Sequence, residues 1–163
     1  MNGFSPISAY FEDLDFQGET FDLVLLSQVL EHVENPFDFL AKIREIIKTT
    51  GVLAIAVPNV NSIFVKILRQ KDNGCLWVPE HLTYFSKAGI KALLFRTGFL
   101  VQKHCYISRI PYTVLSNKFK LSGICRSFGN LSLRMMQWLP MRLCNLTGTG
   151  VMHNVWAKPI TTS

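Results

Sequence analysis

Two near-continuous apolar blocks flank an amphipathic stretch in this chain. Phe21–Ser27 (FDLVLLS) and Val52–Val57 (VLAIAV) each read as a strand buried on both faces, the pattern of a parallel sheet. Between them Asn35-Pro36 predicts a helix start, with Asn as N-cap and Pro at the first helical position. Phe37, Leu40, Ile43 and Ile47 then recur at helical spacing. Lys48 is expected in the last turn, where a cation suits the helix dipole, and Gly51 is expected to stop the helix. Pro58 ends the second strand because proline cannot donate to a ladder.

Residues 1–20 read as loop. Ile7–Tyr10 could form no more than the tail of a strand, kept short by Gly3 and Pro6. Asn61–Arg69 predicts a short helix with Ile63, Phe64, Ile67 and Leu68 inward, and residues 70–85 a loop rich in turn formers and aromatics. Ser86 caps a further helix carrying Ile90, Leu93 and Leu94, closed by Gly98. Phe99–Ile107 and Val151–Ala157 read as strands. The segment 108–147 interrupts that pair. Its Phe119, Phe128, Met135 and Trp138 suit one face of one or two helices.

Charge divides the chain. All 11 acidic residues lie at or before Glu80, against 6 Lys/Arg, whereas residues 81–163 hold 11 Lys/Arg and no acid, which gives the net +6. Such asymmetry points to a polyanionic partner or a membrane surface for the C-terminal half. No apolar run reaches the roughly 18 residues of a membrane helix, and the N-terminus lacks a basic start followed by an apolar block, so no secretory signal is expected. Cys75, Cys105, Cys125 and Cys144 are too dispersed for a zinc or redox motif. Reduced thiols, a cytoplasmic location and no metal site are therefore expected.

Three motifs, in order, resemble class I S-adenosylmethionine-dependent methyltransferases. They are Glu12-Asp13-Leu14 ahead of Phe21-Asp22; Val29-Leu30-Glu31-His32 with Asn35-Pro36; and Pro79-Glu80-His81-Leu82 through Phe85-Ser86, followed by Thr97-Gly98-Phe99. The resemblance implies an α/β, Rossmann-like methyltransferase sheet, present in part. Phe21–Ser27 would be strand four, Val52–Val57 strand five, Phe99–Ile107 strand six and Val151–Ala157 an antiparallel strand seven. The sheet order would be 4-5-7-6 with flanking helices, in one partial domain over 1–163, with 108–147 as a basic helical insertion or lid. The family's glycine-rich turn after strand one and acidic residue after strand two have no counterpart in the sequence. Gly148-Thr149-Gly150 precedes a strand and reads as a loop. Strand four would therefore expose an apolar edge, open to a partner chain or a dimer mate.

The resemblance also implies the site. Open α/β sheets bind ligands beyond the carboxyl ends of their strands, so Ser27, Gln28 and Val29 would border S-adenosylmethionine and Phe11, Glu12 and Asp13 its adenine, once the fold is completed. Methyl transfer asks mainly for positioning. A hydroxyl acceptor also benefits from a general base, for which His32 and His81 are the candidates. Glu31 and Glu80 are expected to be solvated or to cap. The leading expectation is transfer of a methyl group to oxygen of a small or lipid-like acceptor. The alternatives are a non-catalytic remnant or interaction module, and a peripheral membrane-binding domain. In the last, the interleaved cations and aromatics of 108–147 would lie in an interface. The cations are too spread out for nucleic-acid binding.

Overall fold

The computed structural model describes residues 7–68, 80–108 and 142–161. Four strands, β1 (Phe21–Ser27), β2 (Ile47–Pro58), β3 (Phe99–Ile107) and β4 (Met152–Pro159), form one sheet in the order β1-β2-β4-β3. β1 and β2 are parallel, and β4 runs antiparallel to both of its neighbours. This is the 4-5-7-6 arrangement with an antiparallel last strand. Most of the insertion (109–141), the side chains of Phe64, Ile67 and Leu68, and Pro79, Cys75 and Cys125 lie outside the described residues. Among the described residues no helix is long and apolar enough to cross a membrane.

Helix α1 (Pro36–Ile46) starts as its sequence dictates: Asn35 Oδ1 accepts from the N–H groups of Phe37 (3.2 Å) and Asp38 (3.3 Å). Helix α2 spans Ile63–Leu68. Helix α3 (Lys87–Arg96) opens on Ser86, whose Oγ accepts from Gly89 N–H at 3.0 Å. It closes at Gly98, whose φ of 82° is the left-handed angle a glycine adopts without penalty. Leu40 and Ile43 of α1 and Ile90 and Leu94 of α3 pack with Leu53, Ile55 and Val57 of β2 and Val155 and Ala157 of β4. The alternation in β2 and β4 puts this core on one face of the sheet. Each such Val, Leu or Ile side chain contributes about 1.5–3 kcal/mol.

Three expectations are corrected. Helix α1 stops at Ile46 without reaching Gly51, because the β-branched pair Ile46-Ile47 passes straight into β2. Gly51 instead permits a close approach: a Cβ there would lie 2.8 Å from Ile47 Cγ1 and 3.0 Å from the Phe21 carbonyl oxygen. Lys48 belongs to the strand and pairs with Asp22 at 2.8 Å. Residues 7–10 form no strand, in line with the loop reading of 1–20. And β1 is buried on one face only: Leu26 is buried, while Leu23 and Leu25 are 60% and 66% exposed, because no described element covers them.

Candidate functional site

The chain leaves β1 through a sharp turn. Gln28 takes a left-handed φ of 54°, costly for a side chain with a Cβ, while its N–H still donates to the Ala56 carbonyl of β2 at 2.9 Å. The turn passes the carboxyl end of the sheet into a single 3-10 turn, Leu30–His32. Leu30 and Val33 are core residues and draw Glu31 inward with them, to 0% exposure. The Glu31 carbonyl accepts from Leu82 N–H (2.8 Å) and Thr83 N–H (3.1 Å), which fastens the 80–85 loop to this turn.

That fastening brings the two predicted histidines together. The His32 and His81 rings meet edge to face with centroids 4.8 Å apart. His32 Nδ1 lies 2.7 Å from the Glu80 carbonyl oxygen. A carbonyl only accepts, so Nδ1 carries a proton, and in the neutral ring Nε2 is the nitrogen with the lone pair. Glu31 was expected in solvent; its burial is a correction, caused by its apolar neighbours on both sides. Neither carboxylate oxygen has a hydrogen-bond partner. Burial pushes the Glu31 pKa above its usual range, opposed first by its own backbone N–H, which lies near without hydrogen-bond geometry, and then by His32 and His81. One ligand-capable atom from each of Glu31, His32 and His81 lies within 4.8 Å of the other two.

A cavity of about 910 Å³ opens beside this cluster. One wall is the 3-10 turn Phe11–Asp13, docked on α1 by Phe11 against Phe39 (centroids 4.7 Å apart) and by Lys42 Nζ donating to the Glu12 carbonyl at 2.6 Å. The other runs from Val29 to Asn35. Of the residues singled out from the sequence, Phe11, Glu12, Asp13, Val29 and His32 line the cavity. His81 reaches it through His32, and Ser27 and Gln28 are exposed at the end of β1, outside its lining.

A second histidine pair lies between β3 and β4. His153 is fully buried, and its Nε2 donates to the Phe85 carbonyl at 3.1 Å. Its Nδ1 must then accept, at 2.9 Å, from His104 Nε2. Tyr106 stacks on His104 with centroids 4.9 Å apart. Burial lowers the pKa of His104 to about 4, with His153, Lys87 and Lys91 adding to the effect, and burial also lowers that of His153. Sequence reasoning passed over this pair and over Asn59. The Asn59 side chain donates to the Gly150 carbonyl (2.8 Å) and accepts from Asn61 N–H (2.9 Å), clasping the end of β2 to the loop before β4.

A sheet of this order, with a crevice at the carboxyl end of its first described strand, defines the Rossmann-like fold of class I S-adenosylmethionine-dependent methyltransferases. A family model described as a methyltransferase domain matches residues 4–104, and the chain belongs to that family. The cofactor of that family is S-adenosylmethionine. Two ubiquinone biosynthesis O-methyltransferases are similar, from Cereibacter sphaeroides (42% identical) and Roseobacter denitrificans (32%). Each matches over 77 residues, 47% of this chain and 31% of the relative's own length. The solved structure of a SAM-dependent methyltransferase of Thermotoga maritima, described as a possible histamine N-methyltransferase, shares the fold. It is 16% identical with a TM-score of 0.57, over 91% of this chain and 60% of the other.

Proposed function

We propose that this chain is a methyltransferase that moves the methyl group of S-adenosylmethionine to a hydroxyl oxygen of a small or lipid-like molecule. The observation that carries the reading is the cavity of about 910 Å³. It joins an aromatic-acidic wall at Phe11–Asp13, suited to an adenine ring and its amino group, to His32 on the opposite wall. The sulfonium methyl is already activated, so the protein's task is alignment and, for a hydroxyl, removal of a proton. His32, with its Nε2 lone pair free, is the base in this reading, and His81 is the ring that holds it in place. The similar relatives named for O-methylation in ubiquinone biosynthesis favour oxygen as the methylated atom and an apolar acceptor. The basic segment 108–147 would cover the acceptor, or rest on an anionic membrane surface, in a cytoplasmic protein.

A second reading has its own observation. The outward face of β1, with Leu23 and Leu25 exposed, favours a chain that needs a partner to complete the cofactor site. Calorimetric titration of the full chain with S-adenosylhomocysteine separates the two. Micromolar binding that Phe11→Ala and Asp13→Ala each weaken supports transfer by the chain alone. No heat at millimolar ligand removes that reading and leaves the partner-dependent one. Binding that both substitutions leave intact refutes the adenine assignment.

A further inference from the structure

The carboxylate of Glu31 is the least explained group in the molecule. It is wholly buried and both oxygens lack a hydrogen-bond partner, so only the nearby backbone N–H and the two imidazoles act against the cost of its burial. Buried polar groups left unsatisfied in a folded protein call for a specific account. Beside it stand two imidazoles, one lining a cavity. Among the described residues this is the cluster of three side chains with ligand atoms close enough to hold an ion.

We propose that Glu31, His32 and His81 form a binding site for a divalent first-row transition ion, with the remaining coordination positions open toward the cavity. The ligand set is one carboxylate and two imidazoles, which suits zinc, iron(II), manganese(II) or cobalt(II) and disfavours the all-oxygen preference of magnesium and calcium. The hydrogen bond from His32 Nδ1–H to the Glu80 carbonyl is the outer contact that metal-binding histidines use to fix the tautomer and aim Nε2. The Glu31 carbonyl, by holding Leu82 and Thr83, sets His81 from the other side. Around a tetrahedral ion with bonds of about 2.0–2.1 Å, ligand atoms lie about 3.3 Å apart. The atoms now lie within 4.8 Å of one another, so side-chain shifts of about 1–2 Å close the site. The His104–His153 pair is no rival: His153 Nδ1 and Nε2 are both engaged, and no carboxylate belongs to it.

The chemical role rests on the methyltransferase reading; the binding of the ion does not. An acceptor hydroxyl bound to the ion loses its proton to solvent. Its oxygen then forms the new O–CH3 bond as the S–CH3 bond breaks, leaving S-adenosylhomocysteine. In that state the ion replaces His32 as the activating group, because Nε2 is committed to it.

The test uses the full chain without an affinity tag, no cofactor and no acceptor. Titration with cobalt(II) chloride is followed by visible absorption, and zinc chloride is then used to displace it. One-to-one binding is expected, with ligand-field bands that His32→Ala, His81→Ala and Glu31→Gln each abolish and His104→Ala preserves. The affinity loss for each ligand change should be no smaller than the roughly 10–100-fold that loss of an outer partner costs. Circular dichroism of each variant shows whether it is folded, and His81→Asn keeps the size and polarity of the side chain should the alanine variant unfold. Cobalt binding at full strength in the folded His32 and His81 variants overturns the proposal, as does no binding at millimolar cobalt by the parent chain. Failure here leaves the S-adenosylhomocysteine titration untouched, and failure there leaves the cobalt titration untouched.

Discussion

The molecule holds two histidine pairs of nearly the same shape and opposite character. His32–His81 and His104–His153 meet edge to face with ring centroids 4.8 Å and 5.0 Å apart. In the second pair a chain of donors and acceptors runs from His104 through His153 to the Phe85 carbonyl, and both rings are held neutral by burial. In the first, the chain of hydrogen bonds ends on the Glu80 carbonyl and leaves a lone pair at the cavity with an unsatisfied carboxylate behind it. Ring geometry alone therefore says little about what a histidine does. What its second nitrogen touches, and whether a charge nearby is satisfied, separates a structural relay from a reactive one.

The contrast can be broken most forcibly at His153. Replacing it by alanine takes one of two donors from the Phe85 carbonyl, which keeps the Val60 N–H, strips His104 Nε2 of its acceptor and opens a hole, at an expected cost of about 2–4 kcal/mol. Urea unfolding measures this, and an unchanged midpoint would refute the structural role. His32→Ala, at an exposed ring, should move the same midpoint by only about 0.5 kcal/mol. A further effect comes from acid. The folded pKa of His104 lies at about 4, below the usual 6.5, so the folded state takes up its proton later than the unfolded state. Stability from this group is complete above pH 6.5 and declines as pH falls toward 4. Melting temperature against pH should show that decline, and His104→Leu should flatten it. The effect expected at Glu31 has the opposite sign. Its folded pKa is raised, so its contribution is complete below the usual 4.5 and is lost as pH rises through the folded value. Glu31→Gln should therefore stabilise the ion-free chain at neutral pH, by about 0.5–1.5 kcal/mol, while ending cobalt binding. Destabilisation of the ion-free form by that change would show that the carboxylate has a partner after all.

The fold was legible because its signals are local. Asn35-Pro36, Ser86 and Gly98 mark helix ends within a few residues, and two apolar blocks mark the parallel strands. The errors arose where neighbours in space decide. Gly51 sits in a strand because Phe21 passes over it, and the burial of β1 depends on whatever reaches its far face. The candidate site was legible in half. His32 and His81 could be named, but their meeting depends on two hydrogen bonds to one carbonyl across about 50 positions of chain, which no spacing rule contains. Glu31 looked like any solvated acid, and only its place between Leu30 and Val33 hinted otherwise. His104 and His153 belong to strands whose pairing sets them side by side, a relation invisible before the register is known.

The apolar residues of β1 occur on both of its sides. Sliding the strand by one position would trade Leu23 and Leu25 for Val24 and Leu26 at almost no loss in greasiness, so water alone cannot choose between the two alignments. The choice falls to three small fastenings: the bare α-carbon of Gly51 beneath Phe21, the Lys48–Asp22 ion pair, and the Gln28–Ala56 hydrogen bond. Because Val29 through His32 follow directly, a misalignment of one residue there would rotate the crevice wall out of place while leaving the sheet intact.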